Sequence, residues 1–210
     1  MQIGFGSFYQ ETRVPAKSVL NVGLFSLEPF AGIWRFINAQ TLKGVNIVSE
    51  AKQRSVLRQI GTATIPASAA TFDPNVLAPR IGLYAYENFV DRVRSRAQKV
   101  ESMEALALPY SDLDEDSAYD SRIGSSLGQG YEFSETEVCY VIDRLVSRQL
   151  NGEDGDLLTN GYANLFYIKN GSVVDVRWYT GHRDWFIDDW DRETDRWLRG
   201  IRVFSRNRHN

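Results

Sequence analysis

Six carboxylates that stand among tryptophans are the residues of this chain best suited to chemistry. They are Asp184, Asp188, Asp189, Asp191, Glu193 and Asp195. Glycosidases use two such acids held about 5 Å or roughly 6.5 to 9.5 Å apart across a sugar cleft. Stacking on the sugar would need at least two exposed rings beside a carboxylate, from the set Trp178, Trp185, Trp190 and Trp197. Spacing in the sequence does not fix the distance between two carboxylates. A carbohydrate-recognising module or glycoside hydrolase is therefore the alternative function.

Two further residues of catalytic type lack the partners that catalysis needs. His182 and Asp184 could serve as a base and the acid that orients it, but no GxSxG or HExxH pattern accompanies them. Cys139 is the single cysteine and has no nearby histidine, so we expect a buried and unreactive thiol. Enzymatic activity is therefore less favoured than binding, and no catalytic residue is assigned.

Two patterns resemble ligand-binding loops only in part. Alternating carboxylates occur at Asp112, Asp114, Asp116 and Asp120. An EF-hand calcium loop would need glycine where Ser117 stands and glutamate where Ile123 stands. The glycine-rich residues 124–130 lack the Lys-Ser/Thr ending of a phosphate-binding P-loop. The sequence therefore predicts neither a metal ion nor a cofactor.

The last 33 residues favour contact with a partner. Four of the five tryptophans lie there, and arginine outnumbers lysine 19 to 5 over the whole chain. Tryptophan and arginine recur at the centres of protein interfaces, and the arginine guanidinium suits paired contacts. We expect Trp178 to point into the core with Val174 and Val176. The predicted partner-binding residues are Trp185, Trp190, Trp197, Arg192, Arg196 and Arg199.

Charge is segregated along the chain. The net charge of −3 divides into +6 for residues 1–100, −11 for 101–156 and +2 for 157–210. This division suggests complementary faces, within one molecule or between copies, and predicts a protein partner or a homo-oligomer. The bases of residues 92–99 do not gather on one helix face, so nucleic-acid binding is not favoured.

Apolar residues recur at helical spacing over much of the first half. Residues 29–40, 49–60 and 82–106 show this pattern, with proline or serine near the start of the first two. Residues 62–79 are rich in Thr, Ala, Ser and Pro and predict extended chain with turns. Residues 1–108 are therefore predicted to be a mainly helical N-terminal portion, and residues 109–133 an acidic, Gly/Ser-rich connection.

The second half changes from helical to alternating periodicity. Ser134 and Glu137 form a capping-box pattern before a helix that ends near Gly152. Residues 163–169 and 173–179, separated by Asn-Gly, predict a β-hairpin. Residues 184–188 and 201–205 predict further antiparallel strands, with a short helix at 190–198. We therefore predict an α+β fold in which a capped helix and a C-terminal antiparallel meander, residues 134–210, pack with the helical portion. The alternative to a separate C-terminal domain is one continuous domain with residues 1–108.

The favoured function is a non-catalytic structural or protein–protein interaction protein, a component of a larger assembly such as a phage or virus particle. The chain has 43% hydrophobic and 24% charged residues, which is typical of globular proteins. It begins without the cationic and apolar stretch of a signal peptide, and it has no apolar run long enough to span a membrane. The expected location is the cytoplasm or an assembled particle.

Overall fold

A computed structural model describes residues 13–15, 55–77, 82–192 and 195–206. These residues belong to one compact unit. The helix predicted for residues 29–40 and the first half of that predicted for 49–60 lie outside the described residues. The prediction was wrong for the end of the second helix, because a β-strand begins at Leu57. Among the described residues, no helix has the length and apolar character that crossing a membrane would require.

In the part of the chain that the structure describes, ten β-strands form two sheets. They are β1 (Arg13–Pro15), β2 (Leu57–Ile65), β3 (Leu83–Ala85), β4 (Leu106–Leu113), β5 (Ser117–Tyr119), β6 (Asn164–Tyr167), β7 (Ser172–Tyr179), β8 (Asp184–Asp191), β9 (Asp195–Leu198) and β10 (Arg202–Phe204). The larger sheet has seven strands in the order β2-β4-β10-β6-β7-β8-β3, and the smaller has the order β1-β9-β5. The larger sheet is mixed, because β10 runs parallel to β6 and β3 runs parallel to β8.

Three α-helices accompany the sheets in the described part of the chain. They are α1 (Glu87–Arg92), α2 (Asp120–Leu127) and α3 (Glu135–Ser147). The backbone N–H of Glu137 donates to Ser134 Oγ over 3.2 Å, and that of Ser134 donates to Glu137 Oε2 over 2.8 Å. The predicted capping box of α3 is therefore confirmed.

The larger sheet separates two hydrophobic cores. On one face, Phe166, Val174 and Phe204 pack with Val138 and Leu145 of α3. On the opposite face, a second core brings strand residues together with the smaller sheet and α2; it includes Leu165, Tyr167, Val173, Val203, Trp197 and Ile123. Neighbouring residues of one strand, such as Leu165 and Phe166, belong to different cores because strand side chains alternate between faces.

The prediction of a mainly helical N-terminal portion was wrong for the described residues, which are rich in strands. In the stretch predicted to be one long helix, residues 82–106, α1 covers only Glu87–Arg92 and is followed by a 3₁₀ turn at Arg94–Arg96. Beyond it the chain is extended, because Val100 exchanges backbone hydrogen bonds with Phe72. Pairing with a distant segment overrides helical spacing.

The C-terminal strands do not form a separate antiparallel meander. The hairpin of β6 and β7 is confirmed, but its strands belong to the mixed sheet with β4 and β2. The short helix predicted at residues 190–198 was wrong, because β8 and β9 occupy that stretch. Trp197 sits opposite Ala118 of β5, and this cross-strand pairing buries the ring that helical spacing had placed on a helix.

Residues 109–133 contain regular structure that their composition did not indicate. They include most of β4, all of β5 and all of α2. Acidic and glycine-rich residues are typical of loops, yet here Leu113, Ala118 and Ile123 are buried in the second core. Division of the chain into domains at residues 109 and 133 stays a prediction.

Candidate functional site

The face of the larger sheet that carries the second core is open at one end. Along β8 the side chains of Trp185, Ile187 and Asp189 are buried, whereas Asp184, Phe186 and Asp188 point to the opposite face. On the face that carries Asp184, Phe186 and Asp188, the second core covers the end of the sheet where Tyr167, Val173 and Trp190 lie. Towards the other end of β8, where Asp184 and Phe186 lie, the face is partly exposed.

Five aromatic side chains gather at this open end, and we call them the aromatic face: Tyr84, Tyr86, Tyr179, His182 and Phe186. The strand register brings them together, because Tyr84 of β3 and Arg177 of β7 both lie opposite Phe186 of β8. Tyr179 lies opposite Asp184. Tyr84 and Tyr179 are among the most exposed large aromatic residues in the described part of the chain, at 53% and 43%.

The rings of the aromatic face contact one another. Phe186 is central, with centroid distances of 5.5 Å to Tyr84, 6.0 Å to Tyr86 and 5.8 Å to Tyr179. Tyr84 and Tyr86 meet edge to face at 5.0 Å, and His182 stacks on Tyr179 at 5.0 Å. These contacts restrict the exposed rings before any ligand binds, which reduces the entropy cost of binding.

The turn between β7 and β8 holds one side of the aromatic face. The backbone N–H groups of His182 and Arg183 both donate to the carbonyl oxygen of Tyr179, over 3.2 and 2.9 Å. Arg183 has a φ of 58°, in the left-handed region that residues other than glycine rarely occupy. Such strain is often found at functional sites, and here it accompanies the stacking of His182 on Tyr179.

Carboxylates outnumber cations on the strands of this face. Asp175, Asp184 and Asp188 share it with Arg177, as the strand register requires. Arg177 pairs with Asp175, with an Nη2–Oδ2 distance of 2.6 Å. Asp175 lies directly opposite Asp188, an arrangement of like charges that destabilises a sheet. Asp175 is buried, so the partly exposed carboxylates of this face are those of Asp184 and Asp188, and the turn beside them adds the exposed Arg183.

The carboxylates named as candidates for chemistry have different environments. Asp189 is fully buried, and its Oδ2 lies 3.1 Å from Nε of Arg92, which also contacts Asp191. Burial raises the pKa of Asp189, while Ser172 and Arg92 oppose the increase. Asp189 and Asp184 lie on opposite sides of β8, so they do not form an acid pair across one cleft. Among the described residues no group of three or more metal-binding side chains lies together.

The tryptophans predicted to contact a partner lie largely inside the protein. Trp185 and Trp197 are 0% and 1% exposed, and Trp178 is buried as expected at 5%. The Trp185 indole donates to the carbonyl oxygen of Gln149 over 2.7 Å. Trp190 is partly buried against the second core. These rings do not provide the exposed tryptophan platform that the carbohydrate hypothesis required.

The three arginines of the same prediction are held by contacts within the molecule. Arg192 donates to Glu132 and to the carbonyl oxygen of Ile168. The Arg196 guanidinium lies 4.3 Å from the centroid of the Tyr119 ring. Arg199 is exposed and lies 3.0 Å from Asp116. Partner binding through Trp185, Trp190, Trp197, Arg192, Arg196 and Arg199 stays a prediction.

The aromatic face was not predicted from the sequence, because its members come from two distant segments. The one signal available was alternation along residues 184–188, which places Phe186 on the face opposite Trp185. Nothing local indicates that Tyr84 lies beside Phe186, since that contact depends on the parallel pairing of β3 with β8.

Comparison of the chain with protein-family models, with curated proteins and with solved structures found no match.

Proposed function

We propose that this is a non-catalytic interaction protein that binds a protein partner through the aromatic face. The observation that carries the proposal is the exposure of Tyr84 and Tyr179 on a cluster of rings in mutual contact. Large exposed aromatic side chains dominate the energetics of protein interfaces. Tyrosine also loses little conformational entropy on binding, and its hydroxyl group can hydrogen bond at the rim of an interface.

The charge of the face indicates the kind of partner. Ring faces attract cations, and on β8 the carboxylates of Asp184 and Asp188 lie two residues to either side of Phe186, with Asp184 opposite Tyr179. A partner segment that presents an arginine or lysine beside an apolar side chain would pair its cation with the carboxylates and pack its apolar side chain on the rings. A phosphate backbone would meet the carboxylates first, which disfavours nucleic acid.

A carbohydrate is the second candidate ligand for the same face. Aromatic rings next to carboxylates can stack on a sugar and accept hydrogen bonds from its hydroxyl groups. The rings here are tyrosine, phenylalanine and histidine, and neighbouring pairs such as Tyr84 and Tyr86 are nearly perpendicular, at 84°. Perpendicular rings offer no flat platform, which favours an irregular protein surface over a polysaccharide chain.

A binding comparison tests the proposed function. Wild-type protein and the Tyr84→Ala/Tyr179→Ala variant are immobilised, and proteins retained from extract of the source cells are identified by mass spectrometry. Tyr162→Ala is the matched control, because Tyr162 is also exposed, at 37%, but lies outside the face. We expect partners that bind wild type and the control and are lost from the double variant.

Affinity measurements and a glycan array together distinguish a protein partner from a carbohydrate ligand. A purified partner should bind wild type at least roughly 30-fold more tightly than the double variant, because two interface aromatic residues each contribute about 1 kcal/mol or more. A glycan array run with the same three proteins addresses the second candidate. The proposal is overturned if every retained protein binds the double variant as well as wild type, or if only glycans depend on the face.

Membership of a larger assembly, such as a phage or virus particle, fits a non-catalytic interaction protein. It stays part of the proposal. Identification of the partner in the experiment above is the observation that would decide it.

A further inference from the structure

The two edges of the seven-stranded sheet differ in length. One edge strand, β3, has three residues, whereas the other, β2, has nine. The exposed residues of β2 are Arg58, Gln59, Ile60, Thr62 and Thr64. A bulge between Gln59 and Gly61 shifts the register, so Thr62 and Thr64 lie on the same face as Gln59. A long edge strand presents backbone donors and acceptors to another strand, and proteins usually protect such edges with charges or proline.

The hydrogen bonds of β4 show which backbone groups of β2 face outwards. Leu113 N donates to the Ile201 carbonyl oxygen over 2.9 Å, and Ser205 N donates to the Pro109 carbonyl oxygen over 3.0 Å. Alternate residues of an antiparallel strand turn to opposite neighbours. Pro109, Ser111 and Leu113 therefore turn towards β10, and Tyr110 and Asp112 turn towards β2.

Some residues of β4 direct their backbone groups towards β10. The β2 residues opposite them direct their own backbone groups away from β4, to the outer edge of the sheet. Thr62 lies opposite Pro109, and Thr64 lies opposite Ala107. The Thr64 carbonyl oxygen accepts a hydrogen bond from Arg148 Nη2 over 2.9 Å, a contact that confirms this orientation. Within the described part of the chain, no strand pairs with the outward side of Thr62 and Thr64, and the Thr64 oxygen, which accepts from Arg148, retains a second lone pair.

The sequence at these positions is self-complementary. Within β2, only Arg58 is charged, and residues 59–65 have no charge at all. A two-fold axis midway between the two β2 strands, level with Ala63 of each copy, would place Thr62 opposite Thr64 of a second copy, and Thr64 opposite Thr62. Threonine pairs across neighbouring strands are favourable, and the two Arg58 side chains would lie far apart at the ends.

We propose that β2 pairs antiparallel with β2 of a second copy, so that two seven-stranded sheets become one. Each copy would contribute the outward N–H and carbonyl groups of Thr62 and Thr64. A second copy is favoured over an unrelated strand because this register opposes no like charges and matches threonine with threonine. The surface is separate from the aromatic face.

Charge exchange at the two threonines tests the register. Thr62→Lys/Thr64→Lys places like charges opposite each other twice in the dimer, as does Thr62→Glu/Thr64→Glu. Thr62→Lys/Thr64→Glu places opposite charges at the same positions. Sedimentation equilibrium measures association, and circular dichroism with thermal midpoints verifies that each variant folds. Tyr84→Ala/Tyr179→Ala is the control that should dimerise like wild type.

We expect wild type to dimerise and each like-charged variant to dissociate roughly tenfold more readily. An equimolar mixture of the two like-charged variants should form heterodimers, and Thr62→Lys/Thr64→Glu should form dimers alone. A wild type that stays monomeric at its highest soluble concentration overturns the inference. So does a dimer that all three charge variants leave intact, because its interface would lie elsewhere. These results do not depend on partner binding by the aromatic face.

Discussion

Trp197 donates a hydrogen bond from its indole Nε1 to Oδ1 of Asp120 over 2.7 Å. The same oxygen accepts a hydrogen bond from the Tyr167 hydroxyl group, also over 2.7 Å. Trp197 belongs to the smaller sheet, Tyr167 to the larger sheet and Asp120 to the first turn of α2. One buried carboxylate therefore joins three elements, and burial beside it raises the pKa of Tyr167 well above its usual value.

Removal of this acceptor should destabilise the protein. We expect Asp120→Ala to lower the free energy of unfolding by about 2–4 kcal/mol, because it leaves two buried donors without an acceptor. Asp120→Asn keeps an oxygen at the same place and should cost less. Urea denaturation of the three proteins measures the effect. Equal midpoints for Asp120→Ala and the parent would show that the donors find other acceptors.

Gly152 and Trp178 should prove to be tightly coupled by packing. Gly152 has a φ of +74°, and a methyl group added there would overlap the Trp178 indole. Gly152→Ala should therefore lose more stability than the cost of its backbone conformation alone. Gly161→Ala is the matched control, because Gly161 has a φ of +88° and open space around it.

Thermal and urea unfolding of the two glycine variants distinguish the cost of the backbone conformation from the cost of overlap with the Trp178 ring. We expect Gly161→Ala to lose about 1 kcal/mol and Gly152→Ala about 1–3 kcal/mol more. If both variants lose the same free energy of unfolding, the Trp178 ring moves aside without cost and the packing interpretation is wrong.

Truncation of the buried tryptophans should lower the stability of the folded protein. Trp178→Ala should cost about 3–5 kcal/mol, as is usual for large-to-small changes in a core. Trp197 was predicted from the sequence to contact a partner, in which case its alanine variant would fold normally and lose association. Its burial at 1% now predicts a similar loss of stability, which calorimetry of both variants can verify. A Trp197→Ala protein that melts like the parent would contradict this prediction.

Asp189 should make stability decrease as the pH rises. Burial raises its pKa above the ordinary value of 3.8, although Ser172 and Arg92 favour the ionised form and Asp188 and Asp191 disfavour it. The folded protein thus binds the proton more tightly than the unfolded chain does. The associated stability is fully present below pH 3.8 and is lost as the pH rises through the folded-state pKa.

Comparison of the parent with Asp189→Asn isolates this group. Because the variant cannot ionise, its free energy of unfolding should increase relative to that of the parent as the pH rises from 3.8 towards neutrality. Urea titrations at a series of pH values measure the difference. A difference that is constant or falls with pH would mean that Arg92 compensates fully for the buried charge.

Cys139 should be inert in the folded protein. It is buried in α3, and burial raises its pKa to about 12, with Glu135 adding to the increase and Arg94 opposing it. Reaction requires the thiolate, so labelling by a disulfide reagent at pH 8 should proceed no faster than unfolding. The same reagent added in denaturing urea should react at once. Rapid labelling without urea would show that α3 opens locally.

The sequence predicted correctly those elements that are specified by a few neighbouring residues. The capping box at Ser134 and the turn at residues 170–171 each specify structure within a few residues. Their helix and hairpin were found with nearly correct bounds. Strands β2 and β4 were missed because their alternation is weak, and the bulge between Gln59 and Gly61 interrupts the register.

The binding site was beyond prediction for a related reason. Tryptophan drew attention to the C-terminal segment, yet large aromatic side chains serve cores as readily as surfaces. Whether a ring is exposed depends on which strand lies beside it. The neighbour of Phe186 is Tyr84, about a hundred residues earlier, and no periodicity in either segment specifies that pairing.

The position of β10 has a consequence for how the chain reaches its native state during synthesis. β10 lies between β4 and β6, so the strands made earlier remain two separate groups until residues 202–204 emerge from the ribosome. Each group meanwhile exposes a strand edge that the finished protein hides, and exposed edges promote aggregation. We therefore expect nascent chains that stop before residue 202 to engage chaperones for longer than chains that include β10.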